Sequence, residues 1–371
     1  MALFPTAVIG SLPRPKWVLD LLFRYETGAL SEQELDKALD RAVGFAIGLQ
    51  ETAGIDTISD GEWRRIGYFE IFAQRINGFE ADEYSTQALP PEFIPDAGLS
   101  SPQQWTLKPF KQRLVVHPVN YTRPIVADAA RFLRANTDHP IKVTLPSPNI
   151  IGHRLWHPEY SRKAYPKRRD FINAVIPILR KEVEALKSTG VDVVQFDDPW
   201  FCFFVDPIYR SRFDNPESEM AQAVEDLNQV VEGISGIKTV LHVCRGNRAR
   251  SVYARGDYGP ILPFLLKTKV DQLALEFAVS EAGNIDIFEG ITWEGEIGLG
   301  VVDVRVREVE PPEVIVERVE HALRFFTPEQ LTLTPDCGFA PTSTNPIPID
   351  EAYEKLCALS QAAQIMRNRY G

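Results

Sequence analysis

Short apolar runs bounded by turn residues alternate with helix-like segments along most of the chain. The runs are Thr6–Ser11, Asp56–Glu62, Ile141–Pro146, Val191–Asp198, Lys238–Cys244, Asp271–Glu276, Glu296–Asp303 and Leu331–Asp336. Near-continuous apolar runs of this length suit strands buried on both faces. A helical stretch from Leu30 to about Ala53 follows the first run, and Ser31 with Glu34 has the spacing of a capping box. Another helix, from about Arg168 to Ser188, precedes the fourth run. A third, Pro312 to Phe326, begins with proline and carries Val314, Ile315, Val319 and Leu323 at helical spacing. Eight strands with intervening helices predict an α/β fold, a (β/α)8 TIM barrel forming a single catalytic domain over residues 1–371. An open, doubly wound sheet is the main competitor, because periodicity alone does not reveal closure. The Gly-x-Gly-x-x-Gly fingerprint of dinucleotide binding does not follow the first run.

Residues 78–122 break the alternation. This stretch is rich in proline and aromatic residues, among them Tyr84, Pro90, Pro91, Phe93, Trp105 and Phe110. It reads as an insertion after strand 2, with a small hairpin near Gln112–Val116. An insertion on a βα loop lies over the mouth of a barrel, so a lid is one expectation and a packed loop the other.

Composition narrows the function classes. The 371 residues are 44% hydrophobic and 25% charged, ordinary values for a globular enzyme. A formal net charge of -11 disfavours nucleic acid as a partner, which would need a basic face. The four cysteines, Cys202, Cys244, Cys337 and Cys357, are too few for a disulfide scaffold. The N-terminal residues carry no basic n-region, and their apolar stretch is too short to cross a bilayer. A reducing cytoplasmic location is therefore expected, with no membrane association.

Four potential metal ligands fall at or just past the ends of apolar runs: His242, Cys244, Glu276 and Cys337. His242 and Cys244 lie two apart, so a strand would direct both to one face. Cys337 follows Pro335 and Asp336 and precedes Gly338, which places it at a strand end. Glu276 is a carboxylate in an apolar run and must be paired or bound to a cation if buried. Two thiolates, an imidazole and a carboxylate suit Zn2+. A buried histidine with an inert core cysteine is the plainer reading of the first pair. Cys202, among Phe201, Phe203 and Phe204, and Cys357 read as core thiols.

The chain resembles cobalamin-independent methionine synthase, specifically its C-terminal catalytic barrel. The matching segments are Ile9–Pro13, Asp60–Glu62, Gln195–Pro199, His242–Cys244, Glu276, Ile297–Asp303 and Thr334–Gly338, in family order and over nearly the whole chain. The full-length synthase carries a second, N-terminal barrel that this sequence lacks. The resemblance implies His242, Cys244, Glu276 and Cys337 as zinc ligands. It implies Ser11 as a contact to an amino-acid thiol, and Glu62 and Asp197 as partners of that substrate's ammonium group. The plainer readings are strand-end capping for Asp197 and an ion pair with Arg64 or Arg65 for Glu62.

One position departs from the family. A proton-transferring histidine belongs two residues after the aspartate matched by Asp303, and here that position is Arg305. Arginine does not shuttle protons near neutral pH but does bind anions. Arg305, with Arg245 and Arg248, therefore suggests an anionic group on the substrate, or pairing with acidic neighbours. His153, Trp156 and His157 form a further cluster from which Trp156 would stack on a flat donor, unless these residues pack the loop itself. The expected activity is zinc-dependent methyl transfer to a small thiol such as homocysteine, from methyl-folate or a corrinoid protein. The alternatives are thiol alkylation by an epoxide, as in epoxyalkane:coenzyme M transferases, and a non-catalytic thiol-binding barrel.

Overall fold

The apolar runs become parallel strands whose alternate residues face opposite ways. The computed structural model describes residues 3–81, 113–247, 250–341 and 347–371. Eight strands are present among these residues. Two short ones, β1 (Phe79–Ala81) and β2 (Arg113–Val115), form an antiparallel pair. The other six are β3 (Lys142–Pro146), β4 (Val193–Asp197), β5 (Lys238–Val243), β6 (Gln272–Glu276), β7 (Glu296–Val302) and β8 (Leu331–Pro335). They lie side by side in chain order, all parallel. Helices connect them, among them Arg168–Ser188 ahead of β4 and Pro312–Ala322 ahead of β8.

The two outer strands of this sheet are joined through the N-terminal segments. Thr6 bridges Leu333, Ala7 bridges Thr57, and Ile58 bridges Ile141, all in parallel sense. Five backbone hydrogen bonds carry the seam: Leu333 N to Pro5 O, Ala7 N to Leu333 O, Thr57 N to Thr6 O, Ile58 N to Pro140 O and Lys142 N to Ile58 O. The fold is thus the (β/α)8 barrel, with its first two strand positions held by single-residue bridges. Arg367, on the C-terminal helix Ile349–Tyr370, fastens this seam from outside. Its guanidinium donates to Leu3 O, Phe4 O and Asp56, and Asp56 also accepts from Thr6 N and Oγ1.

Strand alternation separates two layers. Val194, Phe196, Leu241, Val243, Leu273 and Leu275 are buried in the large apolar core. The opposite face turns into the barrel and is partly polar. There, Lys142 donates to Gln195 Oε1 (3.0 Å) and Gln272 donates to Thr332 Oγ1 (3.0 Å), while Ile9, Val240 and Ala274 form a separate small cluster. Asp197, His242 and Glu276 belong to this inner face, at the C-terminal ends of β4, β5 and β6, where a barrel carries its chemistry.

The capping box on the helix Glu32–Thr52 forms as expected, with Ser31 and Glu34 exchanging side-chain and backbone hydrogen bonds. Where a small hairpin was expected near Gln112–Val116, the structure has one strand, β2, paired antiparallel with the distant Phe79–Ala81. Residues 82–112, which make up most of the expected lid, lie outside the described residues. Among the described residues, no helix is long and apolar enough to cross a membrane.

Candidate metal centre and substrate cleft

Three strand ends converge on one point. His242 lies near the end of β5, Cys244 just past it, and Cys337 two residues beyond β8. A ligand atom from each lies within 4.8 Å of the other two, and all three side chains are buried. The two sulfurs are 3.5 Å apart and not bonded as a disulfide. Asp197 sits beside His242 in strand register, and its Oδ1 accepts a hydrogen bond from Nδ1 (2.8 Å). This leaves His242 Nε2 buried with no hydrogen-bond partner, an arrangement that costs free energy unless something occupies the site. Asp197 is itself oriented by Gln195 Nε2 (2.7 Å), and Gln195 by Lys142. The donor set and its outer carboxylate match what a metal ion with nitrogen and sulfur ligands requires.

The electrostatics point the same way. The hydrogen bond from Cys337 is the largest cause of the Cys244 thiol being held well below its ordinary range, with help from the His242 charge. The same hydrogen bond pushes Cys337 up, and burial adds to it. Burial alone would lower the His242 imidazolium pKa, but the Cys244 thiolate and the Asp197 hydrogen bond outweigh it, and the value rises to about 10. These neighbours therefore favour the Cys244 thiolate, the form a metal ion needs.

Above the trio opens a cleft of about 760 Å³, including its mouth, lined by the three ligands together with Ser11, Glu62 and Asp197. Ser11 Oγ accepts from Ala340 N (3.3 Å), and a methyl group on Gly338 would displace this hydroxyl. Glu62 stands in the left-handed region (φ 60°), a strained conformation for a non-glycine residue. Arg14 holds it in place, donating to Glu62 O (2.9 Å) and to Ala340 O (2.8 Å). Glu62 Oε1 accepts from Thr144 Oγ1 (2.8 Å), while Oε2 is buried without a hydrogen-bond partner. Burial raises the pKa of the Glu62 carboxyl, and the nearby Asp197 charge adds to the effect.

The remaining candidates fall elsewhere. Glu276 is fully buried but is not part of the trio's ligand group. Its Oε1 accepts from Arg245 N (2.8 Å) and its Oε2 from Arg305 Nη2 (2.7 Å). Arg305 does bind an anion, but the anion is the protein's own: Glu276, with Asp336 at 3.9 Å. Neither Arg305 nor Arg245 lines the cleft. The Arg245 guanidinium lies over the Tyr258 ring (4.0 Å) and donates from Nε to Gly256 O. Asp303 Oδ1 accepts from Arg305 N (2.7 Å), so it shapes the loop that delivers Arg305. Trp156 donates from Nε1 to Tyr165 O (3.0 Å) and packs against the core, away from the cleft. Arg248 lies outside the described residues.

The aromatic wall belongs instead to residues that sequence reasoning did not single out: Tyr68, Phe69, Trp200, Phe203 and Tyr253. Trp200 stacks on His153 (centroids 3.9 Å apart, 15° between planes). Cys202, read from the sequence as a core thiol, is buried but reaches this wall. The aromatic density of Trp200–Phe204 was a usable signal; Tyr68 and Tyr253 had none.

Residues 4–364 match the family described as the cobalamin-independent synthase catalytic domain. A methionine synthase of Sulfurisphaera tokodaii is 28% identical over 368 residues, covering 99% of this chain and 94% of that protein. One from Saccharolobus solfataricus is 27% identical, with 99% and 96% covered. A B12-independent methionine synthase from Shewanella sp. W3-18-1, solved with selenomethionine, superposes with a TM-score of 0.78 at 25% identity over 99% of both chains. A structure from Listeria monocytogenes, described as a putative vitamin-B12 independent methionine synthase, shares the fold with a TM-score of 0.72 over 99% and 98% of the two chains. The chain therefore belongs to the family of cobalamin-independent synthase catalytic domains.

Proposed function

We propose that this protein is a zinc-dependent methyltransferase that methylates a small amino-acid thiol such as homocysteine. The observation that carries the reading is the buried trio His242, Cys244 and Cys337, which lines one cleft together with Ser11, Glu62 and Asp197. The 3.5 Å between the sulfurs is near the roughly 3.8 Å that two thiolates take in a tetrahedral zinc shell. Zinc, when bound, supplies Lewis acidity that lowers a thiol's pKa and keeps a reactive thiolate at neutral pH.

The chain's own groups do the rest. Asp197 fixes the His242 tautomer so that Nε2 presents its lone pair to the site. The unpartnered Oε2 of Glu62 suits a substrate ammonium group, which would satisfy it. Tyr68, Phe69 and Trp200 supply an apolar wall that keeps water from the reacting sulfur and gives a flat methyl donor a surface to stack on. Holding thiol and donor in line then supplies much of the rate gain. The candidate methyl donors are methyl-folate and a methyl-corrinoid protein. The epoxide and coenzyme M alternative leaned on Arg245 and Arg305 for recognition of a sulfonate; neither lines the cleft, whose lining includes Arg154 instead.

The test pairs metal analysis with product analysis. About one zinc per chain is expected, and Cys244→Ser or Cys337→Ser should lose most of it. Incubation with homocysteine or coenzyme M, each with methyl-folate, methylcobalamin or an epoxide, followed by mass spectrometry, should give methionine. An alkylated coenzyme M as sole product would overturn the methyltransferase reading.

A further inference from the structure

We propose that Glu276 is not a metal ligand in this protein: Arg305 clamps it away from the His242, Cys244 and Cys337 trio, leaving the fourth coordination position to the thiol substrate. This inference rests on the metal centre proposed above. Glu276 lies outside the group whose ligand atoms fall within 4.8 Å of one another, and its two oxygens accept from fixed donors, the Arg245 backbone N–H at 2.8 Å and the Arg305 guanidinium at 2.7 Å. The backbone donor cannot swing away, because it directly follows Cys244 at the end of β5. The guanidinium is anchored in turn by Gly246 O (2.8 Å) and faces Asp336. Glu276 is 0% exposed and the Arg305 side chain 7%, so the pair lies where an ion pair broken on one side costs most. A carboxylate that moved to the metal would give up both donors and leave the guanidinium with only Gly246 O and the more distant Asp336.

Arg305 thus acts as a positioning residue. It sets the metal's ligand set without touching substrate. With three protein ligands and an open position, an incoming thiol need not displace a carboxylate.

The first measurement is a crystal structure of the zinc-loaded protein without thiol. Glu276 should remain on Arg305, and a Glu276 oxygen within about 2.2 Å of zinc would overturn the clamp. The second uses cobalt(II) and zinc with the full chain. Arg305→Met frees the carboxylate to compete for the open position, so homocysteine binding, read from the cobalt absorption bands, should weaken about tenfold or more. Adding Glu276→Gln should restore it, and the double variant should hold zinc within about threefold of the wild type in chelator competition, well short of the roughly 10–100-fold losses that follow removal of ligand-supporting groups. Equal homocysteine binding by Arg305→Met and wild type would overturn the proposal. So would a hundredfold or greater loss of zinc by the double variant. Wild-type protein that binds no zinc at all would remove the metal centre itself; zinc bound through Glu276 would remove only the clamp.

Discussion

Asp198 lies one residue past the end of β4, buried, accepting hydrogen bonds from Ser147 Oγ (2.8 Å) and Asn149 Nδ2 (3.2 Å). Burial pushes its carboxyl up to about 7. The folded protein therefore holds a proton that the unfolded chain gives up near its ordinary value of 3.8. Its contribution to stability is complete below that value and is lost as pH rises through about 7. Asp198→Asn should flatten the stability profile between these limits by a few kcal/mol, as followed by urea unfolding at a series of pH values; an unchanged profile would refute the assignment. Its neighbour Asp197 acts through His242, and Asp197→Asn should weaken zinc binding roughly 10–100-fold in chelator competition. At this scale the sequence was readable where chemistry and position coincide. His242, Cys244 and Cys337 have side chains of the kinds that ligate metals and sit at strand ends, and they converge. Glu276 was rightly read as needing a cation, but its partner is 29 positions away in a loop. Nothing in the linear order distinguishes a carboxylate facing a metal from one facing an arginine.

Elements depend on a few buried polar contacts that their own sequences do not announce. Glu182, on the inner side of the helix Arg168–Ser188, accepts from Tyr121 Oη and from the backbone N–H groups of Ile125, Val126 and Ala127. It thereby caps the helix Ala127–Ala135, whose own N-cap residue, Val126, supplies no side-chain hydrogen bond. Glu182→Ala leaves buried N–H donors unsatisfied and should cost about 3 kcal/mol or more, seen as a lower urea midpoint at unchanged m-value. The six strands β3 to β8 were legible within a residue or two because both faces are buried, which writes a continuous apolar run. The runs Thr6–Ser11 and Asp56–Glu62 looked equally strand-like, yet only Thr6, Ala7, Thr57 and Ile58 pair. Beyond those residues the chain turns toward the cleft. Gly61 and Glu62 both take positive φ, so the apolar pattern ends before the functional part begins.

Across the whole molecule, ladder strength is uneven. Continuous parallel pairing runs from β3 to β8, while the return from Leu333 to Ile141 relies on single bridges fastened by Asp56 and Arg367. Amide protons of Ala7, Thr57 and Ile58 should exchange with solvent faster than those of Val194, Leu241 and Leu275. Arg367→Ala should widen that gap, and equal protection in native-state exchange would contradict this picture. The consequence reaches the chemistry. His242 and Cys244 rise from the stiff arc and Cys337 from its border, whereas Ser11 and Glu62 are carried on the lightly stitched one. A metal ion would be gripped by the firmly laddered half, and an amino-acid substrate would be met by the half that single bridges hold.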